Sequence, residues 1–244
     1  MKIEKDNFNS NHFGIEMGNV VIGNEVFDDE TFRTTLLKDD DFKNYKHLTL
    51  RIPTRDKITT NAAIKTGFSI CDTLVEWIFN YSKSELPVIC PKVILRECDK
   101  DDLEELKIIS RNSFKIDRFH SDPSLDNNLC DSYYEKWIEN SYYGYAEAII
   151  VAEYSGNVVG YTTIKTYSDD DVGHLVLSAV SEKYRGLGIY TSLIHKCVEW
   201  VHIKHPDLKG IIVGTQIDNI AVQKAWNKLG FSPFDSKYVL QMSM

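Results

Sequence analysis

The chain is poor in the residues that staple or stiffen a fold: its 244 residues include only five cysteines and six prolines. Cys71, Cys90, Cys98, Cys130 and Cys197 are odd in number and never form a Cys-x-x-Cys pair. That argues against a disulfide framework and for reduced thiols. No metal site is expected either, because His202 and His205 lack convergent partners and read as solvated residues near a helix end. No apolar run nears the roughly 20 residues of a membrane span, and the charged start at Met1 to Asn7 does not read as a signal peptide. The expectation is a cytoplasmic protein without membrane contact. Basic residues are outnumbered, 28 against 36 acidic ones, for a formal net charge of −8. Such a surface disfavours nonspecific nucleic-acid binding, since a phosphate backbone needs a basic partner. A small anionic ligand needs only one local basic pocket and is not excluded. Hydrophobic residues at 43% lie in the ordinary globular range, so a sizeable core can form.

The most informative stretch that is present runs from Leu175 to Tyr190. It reads as an apolar strand, then a turn with Arg185, Gly186 and Gly188, then a helix with Ile189, Leu193, Cys197 and Val201 on one face. A glycine turn opening a helix offers free backbone N–H groups and a positive dipole end to a phosphate. With Arg185 ahead of the glycines, the pattern predicts an anion cradle suited to a diphosphate. A second strand follows at 210–216, and Asp218-Asn219 opens a helix ending at Gly230. Upstream, 93–98 reads as a strand and 99–114 as a helix capped by Asp101 or Asp102. Strands are expected at 146–154 and 157–167, joined through a hairpin at Ser155-Gly156, and at 172–180.

The first ninety residues read differently. Residues 47–56 suggest a strand, and 58–79 a short helix, a glycine turn and another strand, like a half-sized copy of the C-terminal pattern. Turn chemistry at 82–92 marks a break. The expected architecture is α/β, with a smaller α/β domain over 1–90 and a second domain over 91–244.

The order strand, Arg-x-x-Gly loop, helix, strand, Asn, helix resembles the GNAT superfamily of acyl-CoA-dependent N-acyltransferases. Its Arg/Gln-x-x-Gly-x-Gly/Ala signature stands here at Arg185 to Tyr190, with Tyr190 replacing the small last residue. The resemblance implies a GNAT fold for 91–244 and acyl-CoA as co-substrate without a metal. Ser178, Ala179 and Val180 would pair with the pantetheine amides; Arg185, Gly186, Leu187, Gly188, Ile189, Tyr190 and Thr191 would hold the diphosphate. Asn219 would bind pantetheine, unless it serves as a plain helix N-cap.

A narrower resemblance rests on Asn11 to Gly14, Thr66 to Ser69 with Asp72, Asp117 to His120, Tyr134 to Asn140, and Gly214 to Gln216 taken in order. Together they are similar to bacterial dTDP-amino-sugar N-acetyltransferases of the dTDP-fucosamine type. That implies acylation of a 3- or 4-amino dideoxyhexose for surface polysaccharide such as O-antigen and lipopolysaccharide, with a homo-oligomer left open. The N-terminal domain would complete the acceptor site. N-acetylation of another small amine or peptide, or a non-catalytic acyl-CoA sensor, are the alternatives.

Acyl transfer needs a neutral amine, a polarised thioester carbonyl and a proton for the departing thiolate. Asp72 stands where the resembling family places its base, one methylene shorter than the usual glutamate. Seven residues beyond Asn219, where that family places a tyrosine acid, stands Trp226. An indole N–H donates a hydrogen bond but does not give up its proton; Trp226 then walls the tunnel while solvent protonates CoA, or another hydroxyl acts (Tyr190 or Tyr238), or Trp226 reshapes the acyl pocket for a group other than acetyl. Arg118, His120 and Tyr134 are the candidate acceptor contacts. The tyrosines at 133, 134, 142, 143 and 145 offer stacking surface or core packing alike.

Overall fold

A computed structural model of the chain describes residues 1–23, 25–39, 42–89, 92–114 and 117–244. In chain order the elements are β1 (Lys2–Lys5), α1 (Asn7–Phe13), β2 (Met17–Val21), α2 (Asp29–Leu37), β3 (His47–Pro53), α3 (Lys57–Thr66) and β4 (Ser69–Asn80). There follow β5 (Ile94–Glu97), α4 (Leu103–Ser113), α5 (Asn127–Asn140), β6 (Ala148–Tyr154), β7 (Asn157–Lys165) and β8 (Val172–Val180). The chain ends with α6 (Ile189–Lys204), β9 (Gly210–Gln216), α7 (Ile220–Lys228) and β10 (Ser232–Ser243).

These elements sort into two compact units. The first takes Met1–Val75, the described residues 117–129 and Asp235–Met244; the second takes the described residues from Glu76 to Phe114 and Cys130–Phe234. The division differs from the single cut expected near residue 90, and Cys90 and Pro91 lie outside the described residues. Two long strands explain the difference. β4 begins in one unit and ends in the other, and β10 returns to pair antiparallel with β3 from Lys237↔Pro53 to Ser243↔His47.

In the first unit the strand order is β1-β2-β3-β10-β4. One face of its sheet is apolar: Val20, Leu48, Leu50, Ile52 and Leu240 pack with Phe32, Leu36, Ala62 and Ala63 of α2 and α3. Those helices start where local chemistry demands it, with Asp28 and Asp56 accepting from Thr31 N–H and Thr59 N–H. The opposite face carries His47, Thr49 and Gln241, all buried. It is covered by polar groups: Arg118 donates to Thr49 Oγ1 at 2.8 Å, and Asp122 Oδ2 lies 3.3 Å from His47 Nε2.

The second unit orders its strands β4-β9-β8-β7-β6-β5. Period-two alternation places Ile150 and Ala152 of β6 against α6 and α7, and Ile149 and Val151 against α4 and α5. The β6–β7 hairpin turns at Ser155 (φ 52°) and Gly156 (φ 78°), the two positive-φ residues of a tight two-residue turn. Asp102 precedes α4 as expected, but its carboxylate does not cap it. It accepts two bonds from Arg96, at 2.6 and 2.9 Å, and one from Asp99 N–H.

One irregularity shapes everything that follows. Thr162 pairs with Ser178 and Ile164 with Leu175, so β8 carries one residue more than β7 across this interval. This β-bulge puts Leu175 on the α6 face and Leu177 on the α4 face, although they are two residues apart. The bulge frees the Leu177 N–H, which donates to Thr163 Oγ1 at 2.9 Å.

Candidate acyl-CoA site

β8 pairs parallel with β9 only from Val172↔Gly210 to Leu175↔Val213. Both strands continue, β8 to Val180 and β9 to Gln216, with no ladder pairing between them beyond Leu175↔Val213 among the described residues. The strands therefore part at the bulge, and the β9 side of Val176 to Val180 keeps its backbone donors and acceptors for something other than β9. Ser178, Ala179 and Val180 remain held on their other edge by Thr162, Tyr161 and Gly160 of β7. An extended amide-bearing chain fits such an opening as an added strand would.

At the end of β8 a short 3-10 turn, Glu182–Tyr184, delivers the chain to Arg185. Gly186 (φ 78°) and Gly188 (φ 81°) both occupy the left-handed region, where a Cβ is strained. Gly188 is the N-cap of α6 and brings no side chain to cap it. The first-turn N–H groups of Ile189, Tyr190 and Thr191 have no acceptor one turn back, so they and the dipole face outward over the loop. Leu187 is exposed while Ile189 is buried, anchoring the loop to the core. Arg185 Nε reaches the Val180 carbonyl at 3.4 Å, which ties the cation to the strand end.

Asn219 stands at the N-cap of α7 but makes no side-chain capping bond; its Nδ2 turns back to Thr215 Oγ1 at 3.0 Å. Its amide oxygen is thus not committed to the helix start, unlike that of an ordinary N-cap residue. Trp226 is 2% exposed and packs beside Trp77, and its Nε1 donates to Tyr190 Oη at 2.9 Å. The two departures from the family pattern, at 190 and at 226, therefore touch each other.

The remaining candidates lie elsewhere. Asp72 is in β4 within the first unit, its Oδ1 accepting from Thr73 N–H at 2.6 Å. Arg118 stacks over Phe119 at 4.3 Å, and His120 Nδ1 meets Asp117 Oδ2 at 2.8 Å, so both are held on the polar side of that unit. Tyr238 lies in β10, against the first unit's core. Tyr134 belongs to the second unit and is stacked between Phe114 and Trp137, at 4.2 and 5.9 Å. Tyr133 is buried, so this part of the tyrosine cluster is packing surface. A cavity of about 430 Å³ between α4 and the turn before Arg185, lined by Glu105, Ile108, Asn112 and Lys183, carried no sequence signal, because its walls come from segments seventy residues apart.

A parallel pair parted at a bulge, followed by a double-glycine loop on a helix start, is the arrangement of the GNAT fold. Residues 113–231 match the family described as Acetyltransferase (GNAT) family. Over 138 residues the chain is 30% identical to the spore coat polysaccharide biosynthesis protein SpsD of Bacillus subtilis, covering 56% of this chain and 46% of that one. It thus spans less than half of that relative's length. Over 139 residues it is 27% identical to an uncharacterized N-acetyltransferase of Methanocaldococcus jannaschii, covering 57% of this chain and 78% of that one. An 81-residue stretch is 35% identical to N-acetylaspartate synthetase of Xenopus tropicalis, covering 33% and 29% of the two chains. Among solved structures, a GCN5-related N-acetyltransferase from Kribbella flavida superposes with a TM-score of 0.64 at 10% identity, over 93% of this chain and 81% of that one. A tandem GNAT protein from the clavulanic acid biosynthesis pathway gives 0.62 at 14%, over 94% and 76%. These two likenesses show the fold.

Among the described residues no helix is long and apolar enough to cross a membrane.

Proposed function

We propose that this protein transfers an acyl group, acetyl or longer, from acyl-CoA to the amine of a dTDP-linked 3- or 4-amino-dideoxyhexose used for bacterial surface polysaccharide. The observation that carries the donor half is the parting of β8 and β9 beside the Arg185 loop. The acceptor half is supported by the likeness to a spore coat polysaccharide biosynthesis protein and by the ordered motifs around Asp72, Asp117 and Tyr134.

In this reading Ser178 to Val180 and Asn219 hold pantetheine, and Arg185 to Thr191 hold the diphosphate. The backbone donors of β8 polarise the thioester carbonyl, where fixed dipoles stabilise a developing oxyanion. Asp72, directly or through a water, takes the proton from the attacking ammonium. Arg118, His120 and Tyr134 serve the sugar nucleotide, the guanidinium facing its diphosphate. The first unit acts as the acceptor-binding part.

A second reading, N-acetylation of a different small amine, is favoured by the N-acetylaspartate synthetase stretch. The test mixes the purified chain with acetyl-CoA and each dTDP-amino sugar, then follows thiol release and product mass. Turnover on one sugar is the expected result and fixes the amine position. CoA binding with turnover only on other amines would replace the acceptor assignment.

A further inference from the structure

Neither the donor nor the acceptor assignment uses the cavity between α4 and the turn before Arg185. We propose that it is a binding site for a small α-amino acid with an aliphatic side chain, held without being acylated, and that its occupancy is felt at the donor loop. The site does not depend on which amine the protein acylates.

The walls carry groups that the fold leaves uncommitted. α4 contributes Glu105, Ile108 and Asn112, and the 3-10 turn contributes Glu182 and Lys183. Elsewhere on α4 the charges are paired: Glu104 meets Lys107 at 3.2 Å, and Arg111 meets Glu135 at 3.0 Å. Glu105, Glu182 and Lys183 make no ion pair among the described residues, and Lys183 Nζ lies 5.3 Å over the Tyr184 ring. Ile108 is 54% exposed, although Leu106 and Ile109 beside it on the helix are buried. Asn112 Nδ2 donates to the Ile108 carbonyl at 2.9 Å, which leaves its amide oxygen as a further acceptor.

Those groups define the ligand. Two carboxylates suit an ammonium, the Lys183 ammonium suits a carboxylate, and Ile108 with Ile109 suits an aliphatic chain. About 430 Å³ is room for about fourteen waters at roughly 30 Å³ each, ample for such an amino acid. α4 and α6 lie on opposite faces of the sheet, so the cavity is separate from the open start of α6 where the diphosphate is assigned. The two sites share one segment. Tyr184 N–H donates to the Ser181 carbonyl at 2.9 Å and Arg185 N–H to the Glu182 carbonyl at 3.2 Å. A ligand held by Glu182 and Lys183 therefore bears on the backbone that carries Arg185.

Calorimetry of the full chain with leucine, 3-methylbutylamine and 4-methylpentanoate tests the site, since the last two each lack one of leucine's charges. Leucine is expected to bind most tightly. Lys183→Ala should weaken leucine about tenfold and leave the amine unchanged, whereas Glu105→Gln with Glu182→Gln should weaken leucine and the amine alike by about tenfold. All three positions are exposed, so the substitutions do not touch the core. Saturating leucine should shift CoA affinity, and saturating CoA should shift leucine affinity by the same factor. Leucine binding that is absent, or equal in the unaltered chain and Lys183→Ala, overturns the site. CoA affinity unchanged by bound leucine overturns its link to the donor loop. Release of CoA thiol on mixing leucine with acetyl-CoA overturns the separation from chemistry and makes the cavity an acceptor pocket. A chain that binds leucine but no CoA sinks the donor assignment and the link together, and the site stands.

Discussion

Arg185 and His47 show how differently two basic side chains are used. The guanidinium of Arg185 is tethered to the Val180 carbonyl at the mouth of the parted strands, where a diphosphate would meet it. Arg185→Ala is expected to weaken CoA about tenfold to a hundredfold, the worth of a charge-assisted hydrogen bond. Acetyl-pantetheine, which lacks the diphosphate, should bind as before, and calorimetry with both ligands checks this. His47 is fully buried, with Asp122 Oδ2 3.3 Å from its Nε2. Burial lowers its pKa, outweighing the pull of Asp122 in the other direction. A base with a depressed folded pKa stabilises fully above its unfolded value of about 6.5 and loses that contribution as pH falls through the folded value. The unfolding free energy in urea should therefore decline from pH 7 to 5, by up to about 1.4 kcal/mol per pH unit from this group. His47→Gln should flatten that slope; an unchanged slope would remove His47 from the account.

At the scale of elements the bulge in β8 is the decisive feature. It puts Leu175 and Leu177, two residues apart, on opposite faces, ends the pairing with β9 after Leu175, and depends on Thr163 to satisfy the Leu177 N–H. Thr163→Val keeps the volume but leaves a buried donor unmet, at a cost of about 1–3 kcal/mol. On the proposed pantetheine assignment CoA affinity should fall with it, because the β8 edge is no longer held open. Wild-type stability and affinity in that variant would mean that the bulge is maintained by other contacts. Several elements were legible from sequence for local reasons. The hairpin at Ser155-Gly156, the bounds of β8 and β9, and the helix start at Gly188 all follow from turn chemistry and alternation. The first 37 residues gave no such signal, although they hold β1, α1, β2 and α2. Their strands are short, and β2 contributes polar Asn19 to a buried face, so alternation is blurred. α5 and β10 were likewise unread; α5 carries a tyrosine-rich run with no clean apolar stripe.

For the molecule as a whole, ligand linkage gives the broadest prediction. With CoA at about a hundred times its Kd, the unit that holds β8 should gain about 2.7 kcal/mol against unfolding. Urea titrations with and without CoA check this, and no shift would mean the Arg185 loop is not a CoA cradle.

The α/β class, the Arg185 loop and the GNAT resemblance came from the sequence alone, because glycine turns, helix starts and strand alternation are set by neighbours along the chain. Tertiary structure alone decided that the first unit draws in 117–129 and β10, that β8 parts from β9 at a bulge, and that Tyr190 receives the Trp226 hydrogen bond. Each of these depends on residues between about ten and two hundred positions apart, brought together by the burial of apolar faces and the pairing of strand edges. No local pattern encodes such meetings, and it is there that the candidate chemistry lies.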